Sequence, residues 1–247
     1  VLGLYFLTPG IRMKNLLLLL ASLVFYAWGE PVYIGLMLLS ILFNYLIGHD
    51  LNGRGGKGFL FFGILINVLI MGYFKYCGLV VDTVNSLFHT SLRNPELPLP
   101  VGISFYTFQA MSYLIDVYRG NCKPQKNLIS FALYITMFPQ LIAGPIVRYE
   151  DIEERLNRRQ VTAEGFRDGA WLFTRGLAKK VILANGIGAL YTEISAKDAG
   201  TLSMLTAWIC AIAFALQLYH DFSGYSDMAI GLGKIFAFEF PKNFNRP

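Results

Sequence analysis

Of the 247 residues, 55% are hydrophobic and only 15% charged, well below the roughly 25% charge of a soluble domain. That apolar content excludes a disordered chain, the lack of a glycine period excludes a collagen-like one, and three cysteines are too few for a disulfide scaffold. The net charge of +5 does not point to nucleic acid, because no recognition motif or stacking platform accompanies the basic residues.

The charges are bunched. Uncharged runs cover residues 15–29, 31–48, 58–74, 97–115, 127–147 and 199–219, most of them close to the roughly 20 residues that cross a hydrocarbon core. Open sheet edges do not survive in lipid, so the expected fold is all-α: a polytopic transmembrane helical bundle forming one membrane domain over 1–247. The first run starts after Arg12 and Lys14 and lacks a small-residue cleavage site, so it does not read as a signal peptide.

With the start on the inside, Leu16 to Trp28 goes out, Gly29-Glu30-Pro31 turns the chain, and Val32 to Gly48 returns to a loop carrying Arg54 and Lys57. Phe59 to Phe74 goes out again, Leu79 to Leu92 reads as an interfacial amphipathic helix, and 97–118 returns to Arg119, Lys123 and Lys126. Basic loops then all fall inside, as the positive-inside rule asks. The run 127–147 breaks the pattern, because Arg148, Arg155, Arg158, Arg159 and Arg167 follow it. Pro139 and the Gly144-Pro145 pair remove backbone donors within it, which predicts a broken or re-entrant helix beside a protein-lined or wet cavity. Beyond Asp168 the chain reads as a helix interrupted by Arg175, Lys179 and Lys180, then Val181 to Tyr191 going out and Leu202 to Leu218 returning.

Polar residues inside apolar runs are the default functional candidates in a membrane protein. If the segment from Gln217 to Gly231 continues the preceding helix, Gln217, His220, Asp221, Gly224 and Asp227 share one face, with Tyr219, Ser223 and Ser226 on the adjoining stripe and Tyr225 beside them. Gly224 would open a notch in that face for another backbone or for a substrate. His220 and Asp227 lie about 10 Å apart along a helix, too far for an acid/base dyad. The stripe therefore reads either as polar glue between helices or as a substrate lining, with His220 a weak catalytic candidate. In the broken run, Gln140 either satisfies carbonyls freed by Pro139 or faces a ligand, and Arg148 either holds a phosphate or anchors in headgroups. Ser104, Thr107 and Gln109 place side-chain donors inside the 97–118 helix, and Asp116 can pair with Arg119. P-loop, GxSxG and HExxH motifs are absent, and the Cys and His spacing suggests no metal site.

Three segments carry a resemblance: LPLPVGISFYTFQAMSYLIDVYRG at 97–120, MFPQLIAGPIVRY at 137–149 and YHDFSGYSDMAIGLGKIFAFEFPKNFNRP at 219–247, with FYAWGEP at 25–31 in support. Together they resemble the membrane-bound O-acyltransferase family, in the branch of alginate and peptidoglycan O-acetyltransferases rather than that of D-alanyl transferases. The resemblance implies acyl transfer from a cytoplasmic donor, acetyl-CoA or an acyl carrier, across a central pore to a hydroxyl of an exported polysaccharide such as alginate or peptidoglycan. It implies a bacterial inner-membrane location, contact with membrane lipid, no bound cofactor, and an extracytoplasmic acyltransferase partner or the polymer itself as acceptor. In such proteins a histidine in a Trp-Arg-Arg-Trp-His type motif after the NFNRP segment acts as base. Residues 1–247 are thus expected to be a fragment that supplies the pore wall (Gln140, Gln217, His220, Asp221, Ser223, Gly224, Tyr225, Asp227) and a basic donor side (Arg148, Arg175, Lys179, Lys180). A multi-pass transporter and a non-catalytic membrane scaffold are the rival readings; matching halves with corresponding breaks, the usual mark of a transporter, are missing.

Overall fold

The computed structural model describes residues 1–51, 56–95, 97–141, 144–198, 200 and 202–244. The expected basic residue Arg54, the Ile142-Ala143 step of the broken run and the Asn245–Pro247 end of the third motif lie outside the described residues. Among those described, the secondary structure is helical, with no strand. The helices are α1 (Leu2–Leu7), α2 (Ile11–Gly29), α3 (Ile34–Leu51), α4 (Lys57–Phe88), α5 (Ile103–Arg119), α6 (Leu128–Thr136), α7 (Tyr149–Asn157), α8 (Ala163–Ala178), α9 (Asn185–Ser195) and α10 (Met204–Ile235), with a π-helical segment at Lys179–Ala184 joining α8 to α9.

Four helices, α2, α3, α4 and α10, are long and apolar enough to cross a membrane. Little of α4 and α10 is buried by the rest of the protein, with 6% of the most apolar window of each enclosed. Their outward faces carry Phe61, Leu69, Leu205 and Trp208, apolar side chains that a hydrocarbon layer covers. The protein is membrane-embedded.

Contacts group the chain into two compact units, one of residues 1–142 and 147–158, the other of 143–146 and 159–247. In the first, α5 and α6 form the interior against α2, α3, α4 and α7. Helix α5 starts after Gly102 and ends at Gly120, both left-handed at φ +76°, a conformation that glycine adopts without strain. A Cβ on Gly102 would also sit 3.1 Å from the Leu141 carbonyl oxygen.

The run 127–147 is not one crossing helix. Asn127 caps α6 by accepting the N–H groups of Ile129 and Ser130, and the helix stops at Met137, two residues before Pro139, where the proline ring disfavours the α conformation of its predecessor. Every residue from Ser130 to Thr136 is buried, so α6 is wrapped by protein rather than lipid. The expected break is present, and the helix before it, at nine residues, is less than half of a span.

Two expectations change. Phe59–Phe74 and Leu79–Leu92 are not separate elements, because α4 runs unbroken from Lys57 to Phe88 over 32 residues, roughly 48 Å at the helical rise. Lys75 and Asp82 lie on its exposed surface and interrupt the hydropathy without interrupting the helix. Likewise the chain from 163 to 195 is helical throughout, with α8 running through the π segment at Lys179–Ala184 into α9.

The second unit is an antiparallel packing of α10 on α8, the π segment and α9. Thr162 caps α8 by accepting the Gly165 N–H, and Ser203 caps α10 by accepting that of Thr206. As the sequence pattern anticipates, the polar stretch from Gln217 to Gly231 continues the apolar start of α10 as one helix.

Candidate functional site

Small residues set the spacing of the second unit. Along α8, Gly169 and Gly176 are buried and seven apart; along α10, Gly224 and Gly231 are buried and seven apart. A Cβ on Gly176 would stand 2.5 Å from the Gly224 oxygen, one on Gly224 2.8 Å from the Gly176 oxygen, and one on Gly231 2.7 Å from the Gly169 oxygen. The two backbones therefore touch directly at two levels, in the manner of small-residue helix contacts in membranes. The notch expected at Gly224 exists, but the α8 backbone fills it, so at this position the helix-contact alternative holds.

Around that contact sit charges that composition alone could not pair. Lys179 Nζ donates to Asp227 Oδ2 at 2.7 Å, Arg175 reaches the same oxygen at 3.5 Å, and Lys180 Nζ donates to Asp221 Oδ1. The π turn is wider than an α turn, and it delivers two consecutive lysines to carboxylates six residues apart on α10. Asp227 is the most enclosed member of the group, with its side chain 15% exposed against 31% for Lys179. The cations expected at a donor entrance, Arg175, Lys179 and Lys180, thus pair with Asp221 and Asp227, expected as lining.

Other atoms of the same helix have no partner among the described residues. Gln217 Oε1, His220 Nδ1, Ser223 Oγ and Ser226 Oγ are enclosed and make no hydrogen bond. A serine in a helix normally satisfies its hydroxyl on the carbonyl four residues back, and leaving a buried polar atom unmade costs about 1–3 kcal/mol. Gln217 lies against Gly188 of α9, where a Cβ would meet its Nε2 at 2.8 Å. His220 packs edge-on to Tyr219, centroids 5.3 Å apart, and Tyr219 in turn meets Phe244 at 5.8 Å. Tyr225, half-buried, lies between Gly224 and the unpaired Ser226.

Gln140 and Arg148 belong to the first unit. Gln140 Nε2 donates to the Tyr134 carbonyl at 2.7 Å, and Gln109 Nε2 donates to the same oxygen at 3.0 Å. That carbonyl would have accepted the Phe138 N–H in an unbroken helix; Phe138 N instead donates to Ser22 Oγ at 3.2 Å. Gln140 therefore satisfies the break, while its Oε1 stays enclosed and unpaired. Arg148 precedes α7, where its N–H donates to Asp151 Oδ2 at 3.2 Å and its guanidinium meets Glu150 at 3.3 Å. Asp116 accepts from Ser112 and Asn121, both at 3.3 Å, rather than from Arg119. Nearby, Tyr113, Phe131, Tyr134 and Tyr149 form one aromatic cluster with adjacent centroids 4.7–6.2 Å apart.

One polar feature escaped the sequence reading. Asn44 of α3 and Asn67 of α4, both buried, exchange amide hydrogen bonds at 2.7 and 3.1 Å, and each also donates to the carbonyl four residues back in its own helix. A lone Asn within each of two uncharged runs was the available signal, since lipid leaves an amide no other partner. Among the described residues no group of three or more His, Cys, Asp or Glu is placed to hold a metal.

No family profile matches the chain. Individual proteins do. Over 255 residues, all of this chain and 50% of the relative, it is 42% identical to the probable alginate O-acetylase AlgI of Azotobacter vinelandii. Over 264 residues, 94% of this chain and 50% of the relative, it is 33% identical to the peptidoglycan O-acetyltransferase of Helicobacter pylori. The teichoic acid D-alanyltransferase of Bacillus subtilis is more distant, 26% identical over 99% of this chain and 66% of its own length. The chain spans about half the length of the alginate and peptidoglycan relatives it matches. Over its whole length, the polar stretch of α10 included, this membrane-embedded chain is similar to the AlgI-like alginate and peptidoglycan O-acetyltransferases.

Proposed function

We propose that this chain is part of a bacterial inner-membrane O-acetyltransferase that moves an acetyl group from a cytoplasmic donor, acetyl-CoA or an acyl carrier, to a hydroxyl of an exported polysaccharide. The observation that carries the reading is the 40–43% identity, over the whole chain, to alginate O-acetylases from several bacteria. The identity to a D-alanyltransferase is 26%, which supports acetyl over D-alanyl transfer. The unpaired polar atoms of α10 support a lining role for Gln217, His220, Ser223 and Ser226, while Asp221 and Asp227 hold the helix pair through the basic residues.

None of the three histidines has the company of a general base, which needs a second group to orient its ring. His49 and His89 are exposed at helix ends, and His220 Nδ1 has no partner. In this reading the base is the histidine that the family resemblance implies outside residues 1–247. Residues 1–247 purified alone and given labelled acetyl-CoA with a glycan acceptor are expected to show no turnover above a boiled control. The full-length gene product under the same conditions is expected to transfer label, with His220→Gln retaining transfer within about tenfold. Turnover by residues 1–247, abolished by His220→Gln, would overturn the assignment of the base.

In this reading the broken run turns back, so that the 119–126 and 148–167 loops share the cytoplasmic face. Single-cysteine labelling reports this with Lys123→Cys and Glu154→Cys placed in a background lacking Cys77, Cys122 and Cys210. Burial pushes the Cys122 thiol up to about 12, so it reacts slowly with maleimides in any case. A membrane-impermeant maleimide added outside is expected to label neither position; labelling at 154 but not at 123 would establish a straight crossing.

A further inference from the structure

A cavity of about 500 Å³ opens in the first unit between the start of α2, the 123–127 loop and α7. Arg12, Lys123 and Lys126 line it, and among the described residues none of the three forms an ion pair. Glu153 is the only carboxylate among its lining residues, which leaves a formal excess of two positive charges. Burial raises the Glu153 carboxyl, and Lys123 only partly offsets that, so this carboxylate is a weak counterion.

The start of α2 adds to the positive field. Its cap residue is Gly10, which offers no side chain to the first-turn N–H groups, and no acidic residue follows in that turn. Arg12 and Lys14 stand there instead, at the end of the helix dipole that ordinarily attracts anions. Lys14 finds relief over the Tyr5 ring, its Nζ 5.0 Å from the centroid; Arg12 has no such contact and lines the cavity. A local arrangement this unfavourable for a helix is stable when an anion completes it.

The cavity lining also holds a donor without an acceptor among the described residues. Tyr149 is 1% exposed, and its hydroxyl accepts Gln125 Nε2 at 3.0 Å while its own proton meets no acceptor among the described residues. Burial holds this phenol above its ordinary range, so it stays protonated as a donor. Ser130, also buried, accepts from Asn15 at 3.3 Å and likewise has its proton to give.

We infer that this cavity binds a phosphate group, carried by an anionic lipid headgroup or by a soluble phosphate, with Arg12, Lys123 and Lys126 neutralising its charge and the uncapped α2 amides and the Tyr149 hydroxyl donating to its oxygens. The inference needs only the first unit and does not rest on the acetyltransferase reading. A merely solvated basic loop would need neither the uncapped helix start nor the enclosed hydroxyl.

The test uses the full-length protein in detergent. Native mass spectrometry counts bound phosphatidylglycerol against phosphatidylcholine, and equilibrium dialysis measures labelled inorganic phosphate. Each cation near a phosphate surface contributes about 1 kcal/mol, so Lys123→Gln/Lys126→Gln is expected to weaken binding about 30-fold. Lys123→Arg/Lys126→Arg keeps the charge and should hold binding near wild type, and Tyr149→Phe should weaken it about threefold with the fold intact. Retention of phosphatidylglycerol alone identifies a lipid source, and saturable phosphate binding identifies a soluble one; loss in the Gln variant supports the site in either case. Equal binding of both probes by wild type, the Gln variant and Tyr149→Phe would overturn it, and Tyr149→Phe carries the test if the Gln variant misfolds.

Discussion

Replacing Gly176 or Gly224 by leucine is expected to abolish the folded second unit rather than to block a passage through it. Even a single Cβ on Gly176 would lie 2.5 Å from the Gly224 oxygen and 2.8 Å from the Met228 nitrogen, and backbone atoms in two packed helices cannot step aside as a flexible side chain can. Overpacking of this kind costs roughly 3 kcal/mol; because glycine contacts are what let helices associate in lipid, the loss falls on the helix pair itself. The amount of monodisperse full-length protein after detergent extraction, together with its thermal midpoint, should therefore fall steeply for both variants. Gly186→Leu, at a glycine with no atom near its added Cβ, should leave both unchanged. Normal yield with lost activity in Gly224→Leu would instead establish the glycine as a substrate notch.

The second large effect concerns charge. Asp227 is the shared counterion of Lys179 and Arg175, so Asp227→Asn leaves two cations without it beside the helix contact. Breaking a fully buried pair costs about 3–5 kcal/mol; with Lys179 partly exposed, about 2 kcal/mol is the expected loss. Asp227→Asn/Lys179→Gln should recover at least half of it, because the damage comes from the orphaned cation and not from the missing attraction. A double-mutant cycle on the thermal midpoint reads this directly. Additive losses would mean that the two side chains do not act as a pair. Lys180→Gln is the milder comparison, since Lys180 and Asp221 are both about 40% exposed and water screens them.

How much of this was legible depends on the range of each interaction. The break after α6 could be read because Pro139 acts on its own immediate predecessor. The run of polar residues in α10 could be read as one helical face for the same reason. The continuity of α4 could not: Lys75 and Asp82 lower the local hydropathy, yet both point outward, and hydropathy does not distinguish a charge on the surface of a helix from a charge at its end. The π segment has no propensity signature, so the partners of Lys179 and Lys180, more than forty residues away, were beyond reach. Without them Asp221 and Asp227 looked like a lining, and the three cations looked like an entrance. Gly224 illustrates the same limit, because spacing showed that close approach was possible there but not what approached. The proposed function came from elsewhere, from motifs whose resemblance the relatives bear out.

The central claim, that this chain belongs to an enzyme placing acetyl groups on an exported polysaccharide, meets its most direct test in the polymer itself. Ester-linked acetate released by mild alkali is measured on exported polysaccharide and on peptidoglycan, in cells lacking the gene and in cells complemented with its full coding sequence. Loss of acetate from one polymer on deletion, restored by the wild-type gene and not by Gly224→Leu, is the predicted result. Unchanged acetate on every envelope polymer in the deletion strain would contradict it and return the chain to the transporter or scaffold readings.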